Sequence, residues 1–197
     1  MDLTIMKKLL FSSVKVLILT TVITGFIYPL FITAVGFIFF KDNAEGSIIY
    51  HNGSPAGSAL IGQSFSGAKY FHARPSAIGN NPLPSGGSNL GPVSNALLDS
   101  VNFRRKIFLA DNPGEKVAPV EMLFASGSGV DPDISPEAAY AQIERIAVVR
   151  KYNQKTKSRL TELVSNSVEK RQLGFLGMER VNVLLLNIGL DNLNERE

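Results

Sequence analysis

Few residues of this 197-residue chain are suited to chemistry by type and spacing. Two histidines, His51 and His72, are the best metal ligands it has, and metal sites ask for three or four clustered donors. There is no cysteine, which excludes thiolate sites, disulfides and a cysteine nucleophile. In Ser126-Gly-Ser-Gly129 a serine stands between glycines, but the G-x-S-x-G nucleophile elbow needs glycine at 126 and 130, where Ser126 and Val130 stand. Asp131 and Asp133 flank Pro132, which is turn composition rather than a carboxylate pair. No G-x-x-x-x-G-K-[ST] phosphate loop is present. The stretch 79–91 contains Ser85-Gly86-Gly87-Ser88, and the backbone N–H groups of such a loop can cradle phosphate. It lacks any Lys or Arg to meet that charge, and its structural reading is a set of left-handed glycine turns. The residues by themselves support no catalytic centre.

The elements that must position these residues begin with an anchor. Residues 16–40 carry no charge, and as a helix they reach roughly 37 Å, against about 30 Å for the hydrocarbon core of a bilayer. A cleaved signal peptide has a shorter apolar core and a small-residue cleavage site, so this segment is expected to stay as a transmembrane helix. Lys7, Lys8 and Lys15 precede it and only Lys41 follows closely, which places the 1–15 tail in the cytoplasm and the domain 41–197 outside. The expected location is a cell (inner or plasma) membrane, crossed once. Pro29 lacks a donor and its ring opposes the Gly25 carbonyl, so a kink is expected there. Thr21, Gly25, Pro29, Thr33 and Gly36 form a small-residue face suited to close helix packing, while Phe26, Ile27, Leu30 and Phe31 suit lipid. Thr33-Ala-Val-Gly-Phe37 has a faint likeness to a potassium-filter sequence, but a filter needs non-helical backbone repeated around a pore.

The formal charge of +3 sits mainly around the anchor, because 17 of the 20 Lys/Arg and 16 of the 17 Asp/Glu lie from Lys41 onward. A nearly neutral domain is not a nucleic-acid binder. Within it, the pattern predicts strands at 47–51 and 57–63 around an Asn52-Gly53 turn widened by Pro55, and an extended piece at 70–74. A helix opening at Pro92 should run to about Ala110, with a short strand at 120–125 after it. Ser135-Pro136-Glu137 starts another helix, Leu160 to Val168 mark a third, and 181–193 a last one. The fold class is α+β, preceded by a single N-terminal transmembrane helix.

Six segments in order resemble the C subunit of the Kdp potassium-transporting P-type ATPase. They are Gly25-Phe-Ile-Tyr-Pro29, Gly57-Ser-Ala-Leu-Ile-Gly-Gln63, Tyr70-Phe-His-Ala-Arg-Pro-Ser-Ala77, Ser85-Gly-Gly-Ser-Asn-Leu90, Ala125-Ser-Gly-Ser-Gly-Val-Asp-Pro132 and Val181-Asn-Val-Leu-Leu-Leu-Asn187. The resemblance implies a noncatalytic subunit of an ATP-driven, high-affinity potassium uptake complex. Its partners would be a channel-like A subunit, an ATP-hydrolysing B subunit and the lipid bilayer, with a small F subunit as a further candidate; potassium would be the transported ion. This chain lacks the Asp-Lys-Thr-Gly phosphorylation motif of such pumps. The family is also described as a catalytic chaperone that raises the ATP affinity of the B subunit. On that reading Ser85, Gly86, Gly87, Ser126, Gly127, Ser128, Gly129 and Gln142 are the nucleotide candidates. A further alternative is an anchored external binding or sensor domain acting alone.

Overall fold

The computed structural model describes residues 3–194, which divide into two compact units at Ser47/Ile48. The first is a long helical run. Helix α1 (Leu3–Val22) leads through a π-helical stretch (Ile23–Ile27) into α2 (Tyr28–Phe39), and a single turn, α3 (Lys41–Ala44), follows. The π stretch answers the proline. Pro29 cannot donate to the Gly25 carbonyl, and just before it the Tyr28 N–H reaches back five residues to Ile23 O. The 37 residues Leu3–Phe39 form one helix long and apolar enough to cross a membrane. Three hydroxyls within it bond back to the preceding turn, among them Thr20 Oγ1 to Val16 O at 2.9 Å and Thr24 Oγ1 to Thr20 O at 2.7 Å. Thr33 to Phe37, the filter-like stretch, is ordinary helix inside α2.

The second unit is a mixed helix and small-sheet domain. Strands β1 (Ile48–His51) and β2 (Ser54–Ser58) form a hairpin on the two-residue turn Asn52-Gly53, with φ of 50° and 77°. Positive φ at both positions is the turn whose twist matches the strands. The second strand therefore starts at Ser54 rather than 57. Pro55 does not widen the loop but sits within β2, and a register shift between Ile49 and Tyr50 absorbs the irregularity. Helix α4 (Asn95–Asp111) begins after Ser94, later than Pro92, and stops at Asn112-Pro-Gly114. The expected strand at 120–125 is instead a 3₁₀ turn, Val120–Met122, entered from Pro119. Its Glu121 carboxylate accepts from the Ser135 N–H at 2.6 Å, which ties the turn to the start of the next helix. Strand β3 (Asp133–Ile134) precedes α5 (Pro136–Tyr140), which Ser135 Oγ caps by accepting from Ala138 N at 3.1 Å. Then come α6 (Ile143–Val149), α7 (Gln154–Asn166), β4 (Val181–Asn182) and α8 (Val183–Asn194). Strands β3 and β4 pair antiparallel through Asp133↔Asn182 and Ile134↔Val181.

Phe71, Ile134, Ile146, Leu160, Leu186 and Leu190 are fully buried and form the centre of the core. Phe71 comes from a segment outside any helix or strand, so its backbone polar groups need partners that a sheet would otherwise supply. Two buried side-chain amides supply them. From α8, Asn187 accepts from Phe71 N through Oδ1 at 2.9 Å and donates through Nδ2 to Phe71 O at 3.0 Å. At the head of α6, Gln142 does the same for His72, accepting at 2.8 Å and donating at 3.2 Å. Arg145 adds donors to the Ala68 and Tyr70 carbonyls. Arg150 Nε donates to Lys69 O at 2.9 Å. Replacing Asn187 by Leu keeps the volume but strands one buried donor and one buried acceptor, each worth about 1–3 kcal/mol. The full-length protein in detergent should lose about 2–5 kcal/mol in denaturant unfolding. A loss within about 0.5 kcal/mol, the range of ordinary surface substitutions, would show the amide does not hold the segment.

Candidate functional site

Beyond Phe71 and His72 the clamped segment carries Arg74, Pro75 and Ser76 to the place where the two glycine–serine stretches meet. Ser126 N donates to Pro75 O at 2.9 Å, and Ser76 Oγ donates to Gly129 O at 2.6 Å. The same hydroxyl accepts from Ile78 N at 3.1 Å and Asn80 N at 2.9 Å, fixing the start of the 79–91 loop. That loop then lies on the second stretch. Gly86 N donates to Ser128 O at 3.0 Å, and Ser85 Oγ donates to the same carbonyl at 2.8 Å. Seven of the eight nucleotide candidates, Ser85, Gly86, Gly87, Ser126, Gly127, Ser128 and Gly129, are thus brought together although some forty residues separate the two stretches. Gln142, the eighth, is buried and belongs to the clamp on His72.

Two of the four glycines, Gly87 and Gly129, are needed here, chiefly for another reason than the one expected from sequence. Gly86, Gly87 and Gly127 do not have positive φ; only Gly129 does, at 74°. What the joint requires is close approach of two backbones. A Cβ on Gly87 would lie 3.0 Å from Gly127 O, and one on Gly129 would lie 2.5 Å from both Gly86 O and Ile78 Cγ1. A Cβ on Gly86 would meet nothing within 4 Å. Within the joint the N–H groups of Gly86, Ser126 and Gly129 are spent on carbonyls, and Val130 N is spent on Ser128 Oγ at 3.2 Å. The N–H groups of Gly87, Ser88, Gly127 and Ser128 are not among those spent, and a phosphate cradle would need them to converge, with a cation nearby.

Next to the joint, Arg74 Nη1 meets Asp131 Oδ2 at 2.8 Å, and Asp131 Oδ1 accepts from Asp133 N at 3.1 Å, so Asp131 braces a turn. Asp133 pairs with Arg180 at 3.1 Å; burial pushes its carboxyl above the usual range, against the pull of Arg180. A cleft of 390 Å³ opens among Arg74, Glu121, Asp131, Asp133, Met178 and Arg180. A smaller one of 270 Å³ lies among Gln63, Ser64, His72, Arg74, Ser76 and Asn80. His72 sets its ring against Gly67 O at 3.2 Å. Burial, then the charge of Arg145, hold its pKa below the ordinary value, opposed by Gly67 O and Asp111. Sequence reasoning missed Arg145 altogether and placed Asn187 only within a resemblance segment, without a role. The available signal was a charge between Ile143 and Ile146, and an amide between Leu186 and Leu190, at core spacing.

In the anchor, Thr21 lies in α1, Gly25 in the π stretch, and Pro29, Thr33 and Gly36 in α2. A Cβ on Gly25 or Gly36 would meet nothing within 4 Å, so no contact inside the chain requires glycine there.

Two outcomes are expected of this geometry. Gly129→Ala should destabilise the protein by about 2–4 kcal/mol through strain and overlap, while Gly86→Ala should stay within about 0.5 kcal/mol; equal effects would remove the close-approach account. A neutral, depressed-pKa His72 means the unfolded chain binds more protons than the folded one. Its contribution is therefore complete above the unfolded value near 6.5 and is lost as pH falls below it, towards the lower folded value. His72→Gln should flatten the melting-temperature profile between about pH 7 and 5. An unchanged slope would assign the acid sensitivity elsewhere.

Comparison with known proteins agrees with the six ordered segments. The family described as K+-transporting ATPase, c chain (KdpC), matches residues 10–192. The potassium-transporting ATPase KdpC subunit of Koribacter versatilis is 45% identical over 188 residues, covering 94% of this chain and 95% of the relative. Those of Polynucleobacter asymbioticus and a Janthinobacterium species are 43% and 44% identical over 190 residues, each covering 94% of this chain and 99% of the relative. The chain belongs to the KdpC family, the c chain of K+-transporting ATPases.

Proposed function

We propose that this protein is the noncatalytic C subunit of an ATP-driven potassium uptake pump, and that it joins and stabilises a channel-like potassium-binding subunit and a P-type ATP-hydrolysing subunit. The anchor helix enters the membrane with its N-terminus in the cytoplasm, on the strength of Lys7, Lys8 and Lys15, and the domain from Ile48 stands outside. The face of Thr21, Gly25, Pro29, Thr33 and Gly36 receives a helix of a partner, since glycine at 25 and 36 is not explained by any contact within the chain. The observation that carries the noncatalytic reading is the closure of the glycine–serine stretches on one another, with Gly86 N, Ser126 N and Gly129 N already engaged. The same juxtaposition is what a direct nucleotide contact would need, and that keeps the catalytic-chaperone reading as the second.

One preparation tests both. A Ser88→Cys variant, in a chain without other cysteines, is labelled in intact cells with an impermeant thiol reagent and then purified on a tag in mild detergent. Labelling before lysis together with two large polytopic partners is the expected result, and Gly25→Leu should reduce the partners recovered while Phe26→Leu should not. A protein that purifies alone would point to a free-standing sensor domain. Labelling only after lysis would reverse the orientation. A saturable ATP-induced rise in melting temperature of the chain by itself would favour the nucleotide reading; linkage gives about 2.7 kcal/mol at a hundredfold excess over Kd.

A further inference from the structure

Residues 169–179 are exposed without interruption, and they include four large apolar side chains within six positions. Leu173 is 83% exposed, Phe175 70%, Leu176 47% and Met178 76%. This is not a slack loop. Glu169 N donates to Arg180 O at 2.8 Å and Arg180 N returns the bond at 3.2 Å; nearer the tip, Gln172 N and Leu176 O pair at 3.0 Å and Leu176 N and Gln172 O at 2.9 Å. Left-handed backbone at Leu173, Gly174 and Gly177 shapes the turn, with φ of 53°, 83° and 77°. At its base Arg180 joins Glu169 at 2.6 Å and Asp133 at 3.1 Å. The apolar groups are therefore held out in water on a built finger, although the core has taken up apolar residues elsewhere in the domain. A bulky non-glycine residue at positive φ is strained, and such strain collects at binding surfaces.

We infer that the 172–178 turn is a membrane-contact finger, seating Leu173, Phe175 and Met178 at the acyl boundary of an anionic bilayer. The charges name the occupant. Lys170 and Arg171 stand directly behind the apolar tip on one arm and Glu179 on the other, with Glu169 paired to Arg180, so the finger presents hydrocarbon at its end and a net positive charge at headgroup depth. The chain also supplies the bilayer at high effective concentration. Eight residues separate the end of α2 at Phe39 from the start of β1 at Ile48, at most about 29 Å of extended chain. The inference rests on the reading of the helix as a membrane anchor and not on the identity of the pump.

The absence of native cysteine allows a direct test in the full-length chain. It is reconstituted in phosphatidylcholine vesicles containing phosphatidylglycerol, with a fluorophore on one introduced cysteine: Phe175→Cys, Met178→Cys, Glu115→Cys on an exposed turn elsewhere, or Phe26→Cys in the anchor. Brominated lipids should quench the probe at 26 strongly and those at 175 and 178 several-fold more than the one at 115. Adding Lys170→Glu and Arg171→Glu should reduce quenching at 175 and leave that at 26 unchanged. Quenching at 26 with 175 and 178 no different from 115 would overturn the finger and spare the anchor. No quenching even at 26 would overturn both. If position 175 is shielded only when other pump subunits are co-expressed, the finger meets a protein and the lipid assignment fails.

Discussion

The domain depends on one constraint: a stretch of irregular backbone, residues 68–72, runs from the exposed Ala68 and Lys69 to the fully buried Phe71, where its polar groups must be satisfied without a sheet. A sheet would satisfy them strand by strand, but the pairs β1–β2 and β3–β4 are two separate ladders and neither includes this segment. Side chains take over the task. Asn187 and Gln142 each present an amide that accepts from an N–H and donates to a C=O of the same residue, so a single side chain serves both polar groups as a neighbouring strand would. Arg145 shows how far the solution extends. It is a buried cation whose partners here are neutral: Asn112 Oδ1, Gln142 Oε1 and the carbonyls of Ala68 and Tyr70. Burial lowers its pKa and Asp111 opposes that shift. Dispersed carbonyl dipoles compensate the charge in place of a close carboxylate.

From that clamp the rest of the domain takes its position. It joins the head of α6 and the middle of α8 to a loop segment, so Phe71 can enter the core between helices that are far apart in sequence. It also sets the exit direction of Pro75 and Ser76, and Ser76 holds Gly129 O and the start of the 79–91 loop with one hydroxyl. The glycine–serine joint is thus downstream of the clamp in structural terms. Arg150, which reaches Lys69 O and pairs with Asp191 at 2.7 Å while Tyr70 OH donates to the same carboxylate at 3.2 Å, closes the outer side.

Local signals were the legible ones. Asn52-Gly53 announced the hairpin, Ser135-Pro136 a capped helix, and an uncharged run the long apolar helix, because each outcome is decided by the local sequence. Where the outcome is decided at long range, the pattern misled. Val120 to Ala125 has strand composition, yet it joins neither sheet: Val120–Met122 form a 3₁₀ turn entered from Pro119 and tied by Glu121 to Ser135 N. Val181 reads as the start of a helix, but β3 takes Val181 and Asn182 as a two-residue partner first. The site divides the same way. The motif segments could be found in sequence, but nothing local shows that 85–88 lies against 126–129. Nor could spacing reveal that glycine is demanded there by backbone approach more than by φ.

The clamp also bears on how a nucleotide could act on this domain. Gln142 has no spare hydrogen-bonding capacity to offer: its oxygen accepts from His72 N and Arg145 Nη2, and its nitrogen donates to His72 O and Ala138 O. A ligand that recruited this amide would strand a buried N–H, a buried carbonyl and one arm of a buried guanidinium. At about 1–3 kcal/mol for each neutral group, and more for the charged one, the loss is comparable with the whole stability of a small domain. Any nucleotide contact compatible with the folded domain must therefore leave Gln142 in place and work through the exposed rim of the joint, where Ser85 and Ser128 stand. There the Ser85 hydroxyl and Ser128 carbonyl are bonded to each other, and no lysine or arginine falls within 79–91 or 126–129. Arg74, beside the joint, is already paired with Asp131, so an anion at that rim would compete both with the Ser85–Ser128 bond and with that ion pair.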